Sequence, residues 1–242
     1  MELLIAGGIA GGLGKFVVAP ADRVKTIYQS SVKEVFSFKD MYSKIKNIYA
    51  VEGTSGYWKG YGASVIRLVP YDAIKFGSYR YYHRYVSDNT FIAGGLAGVT
   101  GEVLTYPIET LRTRISYQIG INSSYYKIIK DVGIRTLYRG VVPAAISTMA
   151  YNGTCFKCFK SDFTDSNIIK GTIGGIVGTT LCYPCEIIKR RMQVGLDANI
   201  KNIFLQEGLC GLYKGWSINV FKCPVAVTIS FVANDKISDI LS

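Results

Sequence analysis

One short pattern occurs three times in this chain of 242 residues, and it constrains the fold more than any other feature. The pattern is a proline, any residue, an acid, two further residues and a base. Its copies read PADRVK (20–25), PIETLR (107–112) and PCEIIK (184–189). A fixed internal repeat indicates an architecture in which each copy forms the same structural unit.

Glycines stand thirteen, nine and six residues before each of the three prolines. Because they are three or four residues apart, they lie on one face of a helix. Small residues on a shared face allow helices to approach closely within a membrane. These glycines are Gly7, Gly11 and Gly14, then Gly94, Gly98 and Gly101, then Gly171, Gly175 and Gly178.

A second repeated element, an aromatic residue followed by a base and a glycine, comes later in each copy. It predicts a second apolar helix beginning at that glycine, after a polar amphipathic connector. We therefore predict an all-α membrane protein, a single domain of three pseudo-symmetric repeats (1–87, 88–164 and 165–242). Its six transmembrane helices are expected at 3–29, 60–85, 91–116, 140–161, 168–193 and 215–238, with short amphipathic helices between the members of each pair.

Composition supports a membrane and an anionic partner. The chain is 49% hydrophobic with a mean hydropathy of +0.21, yet its longest uncharged run has 17 residues. A simple spanning helix needs about 20. Charges inside apolar spans usually face a hydrated interior and mark a solute pathway. The net charge of +11 predicts nucleic acid, anionic lipid or an anionic solute as a partner.

The sequence offers no combination of residues suited to catalysis or to holding a cofactor. It has one histidine, His83, and no phosphate-binding loop of the GK[ST] type. Two Cys-x-x-Cys pairs (155–158 and 182–185) imitate a zinc pattern, but the second straddles Pro184 and a glycine-faced helix separates them. We interpret these thiols as reduced packing residues and predict neither an enzyme nor a metal site.

Three copies of Pro-x-[Asp/Glu]-x-x-[Lys/Arg], each followed by aromatic-[Lys/Arg]-Gly, resemble the mitochondrial carrier family over essentially the whole chain. A nucleic-acid binder would explain the charge but not the apolar repeats. A membrane scaffold derived from a carrier would be expected to have lost these motifs. The resemblance implies a monomeric transporter of the mitochondrial inner membrane that works by alternating access.

If the three proline helices converge on one axis, the acid of each can pair with the base of the next. The resemblance implies that this ring is the gate on the matrix side. Its six members would be Asp22 and Lys25 of repeat one, Glu109 and Arg112 of repeat two, and Glu186 and Lys189 of repeat three. The resemblance further implies that Gln29 and Gln193 brace the ring, whereas Ser116 is too short to do so.

The resemblance also implies a second gate and lipid sites. The cytoplasmic gate is degenerate here, because its remnant is Arg80, Lys160 and Asp235, of which only Asp235 is an acid. We therefore predict that exchange is leaky or that uniport is measurable. Cardiolipin is implied at the starts of the even helices. The residues concerned are Trp58, Gly60, Tyr138, Gly140, Tyr213 and Gly215.

Seven residues after each basic-Gly glycine, the three repeats place residues that match the family's substrate contact points. These contact points are Arg67, Ser147 and Lys222. The resemblance adds three further residues to the implied substrate-binding set: Thr148 beside Ser147, Tyr151 one turn further on, and Lys15, five residues before Pro20. A single lysine can equally snorkel to the membrane surface, but three cations around one cavity favour a polyanion. The tyrosine could stack a nucleobase or serve packing alone.

These residues favour a nucleotide-like phosphorylated anion, such as ATP, ADP or a deoxynucleotide, as the substrate. We predict no nucleic-acid partner. A coenzyme A or ATP-Mg/phosphate carrier is the alternative, because KFVVAPADRVKTIYQ and VIRLVPYDAIKFGSYRYY resemble those subgroups most. The short chain, rich in Ile, Tyr and Lys, also resembles carriers of large DNA viruses, which would act in host mitochondria. Glu102 is an acid at the position where repeat one has Lys15. It could bind a cation, tune the neighbouring lysine or serve as a structural partner.

Overall fold

The structure is a computed structural model that describes residues 2–30, 38–120, 130, 133–161, 166–196 and 198–220, together with residues 222, 225, 228, 229 and 232. Five long helices have complete bounds. They are α1 (Glu2–Ser30), α3 (Tyr61–Tyr85), α4 (Thr90–Tyr117), α6 (Val141–Lys160) and α7 (Asn167–Val194). Each bound lies within one residue of its prediction. A further helix, α9, begins at residue 216 and is described continuously to residue 220.

Three shorter helices fill the connections within the repeats. These are α2 (Phe38–Glu52), followed by a 3-10 turn at Thr54–Trp58, then α5 (Ile134–Leu137) and α8 (Ile200–Leu212). Their apolar residues pack on the second half of the preceding long helix. Ile48 of α2 is buried against Val24 and Ile27, and Ile203 of α8 is buried against Ile187. We call the end of the bundle that carries α2, α5 and α8 the connector end.

The glycine faces allow the close helix contacts that the sequence predicted. The helix α4 packs along α3 on one side and along α6 on the other, and α6 packs on α7. A Cβ atom added to Gly98 of α4 would lie 2.4 Å from the side-chain nitrogen of Asn152 on α6. One added to Gly94 would lie 2.6 Å from the ring of Phe156. No larger residue fits without displacing α6.

The proline helices α1, α4 and α7 contact one another and enclose the centre of the bundle. Pro20, Pro107 and Pro184 lie inside these helices. Each following helix starts after a glycine with positive φ, at 88° for Gly60, 90° for Gly140 and 76° for Gly215. This backbone region favours glycine, so the basic-Gly motif ends with the residue that the turn requires.

Within the described part of the chain, one helix, α4, is long and apolar enough to cross a membrane by length and composition. Its most apolar window has a mean hydropathy of 1.2.

Candidate functional site

A cavity of about 500 Å³ opens among α1, α3, α4, α6, α7 and α9. Residues from all three repeats line it, because the proline helices converge at the connector end and leave space above their contact. All six residues that the sequence predicted for substrate binding lie on its wall. They are Lys15, Arg67, Ser147, Thr148, Tyr151 and Lys222.

The cavity wall is rich in charge, with an excess of cations. Six basic side chains and four carboxylates line it. The bases are Lys15, Lys25, Arg67, Arg112, Lys189 and Lys222, and the acids are Asp22, Asp72, Glu102 and Glu186. Two uncompensated positive charges suit an anionic ligand that carries at least two negative charges, since guanidinium and ammonium groups both bind phosphate.

The predicted ring of ion pairs is present at the connector end of this cavity. Lys25 Nζ of α1 lies 2.8 Å from Glu186 Oε1 of α7. Arg112 Nη2 of α4 lies 3.3 Å from Asp22 Oδ2 of α1. The third link, from Lys189 Nζ of α7 to Glu109 Oε1 of α4, is longer at 3.8 Å. Each proline helix therefore pairs with both of its neighbours, and the ring closes this end of the cavity.

The third link is long because both of its members have shorter partners. Lys189 Nζ lies 2.6 Å from Glu102 Oε1. Glu109 lies 2.6 Å from Arg190 Nη1 and 2.7 Å from Arg67 Nη1. The ring is therefore asymmetric, with two direct links and one link that is shared with neighbouring charges.

Two cations of the predicted substrate set are paired with carboxylates in this structure. Arg67 donates from Nη2 to Glu102 and from Nε to Thr105 Oγ1, 3.0 Å away, in addition to its Glu109 contact. Lys222 donates to Asp22, which also belongs to the ring. An anion entering the cavity must therefore compete with acidic side chains for both cations.

A wall of hydroxyl and amide groups on α6 faces these charges. Ser147 and Thr148 are buried, and the ring of Tyr151 packs beside Gly178 of α7. Asn152 Nδ2 donates to the Tyr71 hydroxyl across 3.1 Å. The guanidinium of Arg67 lies 4.8 Å from the centre of the same Tyr71 ring. This side of the cavity thus offers polar atoms and aromatic surface next to a cation.

The two predicted braces are buried at the ring but contact it through intermediates. Gln29 Nε2 donates to the Tyr183 hydroxyl across 3.1 Å, and the Lys25 ammonium lies over the Tyr183 ring. Gln193 Oε1 accepts from Thr113 Oγ1 at 2.9 Å and from Arg190. Ser116, at the third equivalent place, donates instead to the carbonyl of Lys59, as its short side chain predicts.

The aromatic-basic-Gly motifs occupy three equivalent places at the starts of α3, α6 and α9. Tyr138 stacks on Tyr106 of α4, and Tyr213 stacks on Tyr183 of α7. The hydroxyls of Tyr106 and Tyr183 each donate to the carbonyl of the motif's basic residue. Repeat one has Ala19 at the tyrosine position, and Trp58 stacks on Phe16 instead. The motif glycines Gly60, Gly140 and Gly215 complete these turns.

At the end opposite the connectors, the described side-chain contact joins a lysine and a histidine and not an acid and a base. Lys160 Nζ of α6 lies 3.1 Å from His83 Nε2 of α3, and Arg80 is exposed on α3. Asp235, the acid of this predicted remnant, lies outside the described residues. The described part of this end therefore joins two basic side chains.

Sequence reasoning left two structural partners of the site unassigned. Glu102 is an acid at the position where repeat one has Lys15, and in the structure its partners are Arg67 and Lys189. Arg190 was missed, although its guanidinium connects Glu109, Thr113 and Gln193. No repeat signal could have identified Arg190, because a second base directly after the motif base has no counterpart in the other copies, which have Thr26 and Thr113 there.

Comparison with known proteins identifies the group to which this arrangement belongs. The family profile described as mitochondrial carrier protein matches residues 1–90, 88–162 and 160–242. The chain is 31% identical over 294 residues to mitochondrial carrier protein CoAc1 of Zea mays, covering 98% of this chain and 86% of that protein. It is 31% identical over 281 residues to mitochondrial coenzyme A transporter SLC25A42 of Homo sapiens, covering 100% and 88%. The Danio rerio protein of the same name is 30% identical over 275 residues, covering 97% and 85%. Repeats, ion-pair ring and relatives agree, and the chain belongs to the mitochondrial carrier family.

Proposed function

We propose that this carrier exchanges a nucleotide-like phosphorylated anion across the mitochondrial inner membrane, and that coenzyme A is the first substrate to test. The observation that carries the proposal is a cationic cavity, closed at one end by ion pairs between the three repeats. The six long helices would span the membrane, and the connector end would face the matrix.

The relatives change the order of the substrate candidates. Sequence motifs alone favoured ATP, ADP or a deoxynucleotide, with coenzyme A as the alternative. Two of the relatives above are named coenzyme A transporters, so the alternative now comes first. Coenzyme A carries a phosphorylated adenosine and a diphosphate, and the cations Lys15, Arg67 and Lys222 would bind these phosphates. Adenine nucleotides share the same groups and stay the second candidate.

The polar wall would supply recognition beyond charge. Ser147 and Thr148 would bind the sugar or the base through their hydroxyls, and Tyr151 would stack on the base. A base stacked on an aromatic ring contributes about 1–3 kcal/mol in nucleic-acid complexes. These contacts would distinguish a nucleotide from inorganic phosphate, which uses the cations alone.

Alternating access follows from the energetics of the ring. The attraction within a buried ion pair is largely offset by the cost of removing both charges from water. The closed and open states can therefore differ by only a few kcal/mol, which a ligand can reverse. The three repeats of a single copy together line the cavity, so we propose a functional monomer. Anionic lipid, such as cardiolipin, would bind at the starts of α3, α6 and α9, where free backbone N–H groups favour phosphate.

Purified protein in liposomes tests the proposal directly. Vesicles loaded with coenzyme A would be challenged with labelled coenzyme A, ATP, ADP, dATP, phosphate and a dicarboxylate. We expect uptake of coenzyme A to be fastest and uptake of the dicarboxylate to equal that of protein-free vesicles. Exchange of dicarboxylates alone would overturn the phosphate assignment, and a complete lack of flux would favour the scaffold alternative.

A further inference from the structure

Glu102 is a buried carboxylate that the ion-pair ring does not need. It lies on α4, five residues before Pro107, and only 3% of its surface is exposed. The equivalent positions hold Lys15 on α1 and Thr179 on α7. An acid at this place in one repeat breaks the symmetry of the cavity, and a buried charge needs partners to offset its loss of hydration.

The two oxygens of Glu102 bind two cations that belong to different parts of the site. Oε1 accepts from Lys189 Nζ at 2.6 Å, and Lys189 is the base of the third ring link. Oε2 accepts from Arg67 Nη2, and Arg67 faces the cavity from α3. One carboxylate therefore connects the proposed phosphate site with the gate.

The contact with Lys189 coincides with the weakest link of the ring. Lys189 is 3.8 Å from Glu109, whereas the two other links measure 2.8 Å and 3.3 Å. A lysine ammonium held at 2.6 Å by Glu102 cannot also approach Glu109 closely from its present position. Glu102 therefore keeps the third link open relative to the other two.

We propose that Glu102 is a specificity-determining residue that acts as an internal competitor of the substrate for Arg67. The inference rests on the proposed function. A ligand can bind Arg67 only if it replaces the carboxylate contacts of Glu102 and Glu109. A phosphate replaces them well, whereas a neutral or singly charged group replaces them poorly. The same residue holds Lys189 away from Glu109, so the gate opens first at this link.

The variant Glu102→Gln removes the competing charge and keeps the shape of the side chain. Charge-assisted hydrogen bonds are strong enough that losing one competitor should lower the KM for coenzyme A about tenfold. The maximal rate should fall at the same time, because the tighter binding stabilises the substrate-bound resting state and not the transition state of transport. In addition, the freed Lys189 would close the third link onto Glu109.

Two further variants separate this role from simpler ones. Asp72→Asn removes a negative charge from the same cavity, where Asp72 Oδ1 pairs with Lys75 Nζ at 2.7 Å. We expect it to change KM much less than Glu102→Gln. Glu102→Asp keeps the charge but is one methylene shorter, so its KM should lie between the wild-type and Glu102→Gln values. It also serves as the test if Glu102→Gln does not fold.

The measurement is the initial rate of labelled coenzyme A uptake at varied concentration, in liposomes containing each purified variant. A lower KM with a lower maximal rate in Glu102→Gln alone supports the proposal. An unchanged or higher KM overturns it, and so does an equal fall in Asp72→Asn, which would show a general charge effect. If the wild-type protein moves no phosphorylated anion, the proposed function fails, whereas wild-type uptake with an unaltered KM in Glu102→Gln refutes the role of Glu102 alone.

Discussion

At the scale of single residues, Glu52 at the end of α2 ties the connector end together. One carboxylate oxygen accepts from Lys59 Nζ and from the backbone amide of Gly120, both at 2.8 Å. The other pairs with Arg23. Arg23 is buried and also donates to the carbonyl of Ser116 on α4. The network therefore joins repeat one to repeat two outside the cavity.

Acid should weaken this network. Partial burial acts to raise the pKa of Glu52, but hydrogen bonds from two cations and a backbone amide outweigh it and lower the pKa to about 2. The pKa of an unfolded glutamate is about 4.3. The stabilisation is therefore complete above that pH and is lost as the pH falls towards 2. We expect wild-type protein to lose unfolding free energy faster than Glu52→Gln over this window.

Thermal unfolding in detergent between neutral pH and pH 2 would measure the difference. The control is Asp40→Asn, at the exposed first turn of α2, which should follow the wild-type curve. Parallel curves for wild type and Glu52→Gln would contradict the role of Glu52.

At the scale of elements, the glycine face of α4 determines how closely α6 can approach. Phe156, Met149 and Asn152 of α6 lie where Cβ atoms of α4 would otherwise stand. The contact holds Asn152 against the cavity wall, since this residue also binds Tyr71. Packing of the two helices and the shape of the cavity are therefore coupled.

Gly98→Ala should separate α4 from α6. The added methyl group would lie 2.4 Å from Asn152, and overpacking of this kind costs about 1–3 kcal/mol. We expect a lower melting temperature in detergent. The matched control is Gly77→Ala on α3, where an added Cβ meets nothing within 4 Å. There alanine should stabilise the helix by about 0.5–1 kcal/mol. Equal effects of the two substitutions would show that the glycine face is not what sets the contact.

At the scale of the whole molecule, the ring makes three repeats act as one unit. Lys25→Glu would place two carboxylates against each other at the α1–α7 link, where the native atoms are 2.8 Å apart. Breaking a buried pair costs about 3–5 kcal/mol. That cost falls on the state in which the ring is closed, so exchange of coenzyme A, the proposed substrate, should fall by more than about tenfold. The charge swap Lys25→Glu with Glu186→Lys should recover most of the rate. A swap no better than either single variant would argue against a direct link in the working cycle.

The opposite end of the molecule should close less firmly. Its described contact joins His83 and Lys160, and neither side chain supplies a negative charge. The state of the carrier that is closed at this end would gain little stability from ion pairs. We therefore expect the empty carrier to return to its other state more easily. We expect measurable efflux of labelled coenzyme A into substrate-free medium, at a rate above that of protein-free vesicles. Efflux that needs external substrate would contradict this expectation.

The sequence by itself determined the architecture and the residues around its axis. Prolines, glycines and charged residues stand at the same spacing in all three copies, and such a repeat can be recognised in the sequence alone. It therefore located the five fully described long helices to within one residue, and it predicted that Asp22 pairs with Arg112 and Lys25 with Glu186. It could not determine which of several nearby charges pair, because that choice depends on distances between helices of different repeats. Only the tertiary structure showed that Glu102 and Arg190 divert Lys189 and Glu109, since both residues lie outside the repeated pattern and act through contacts distant in the chain.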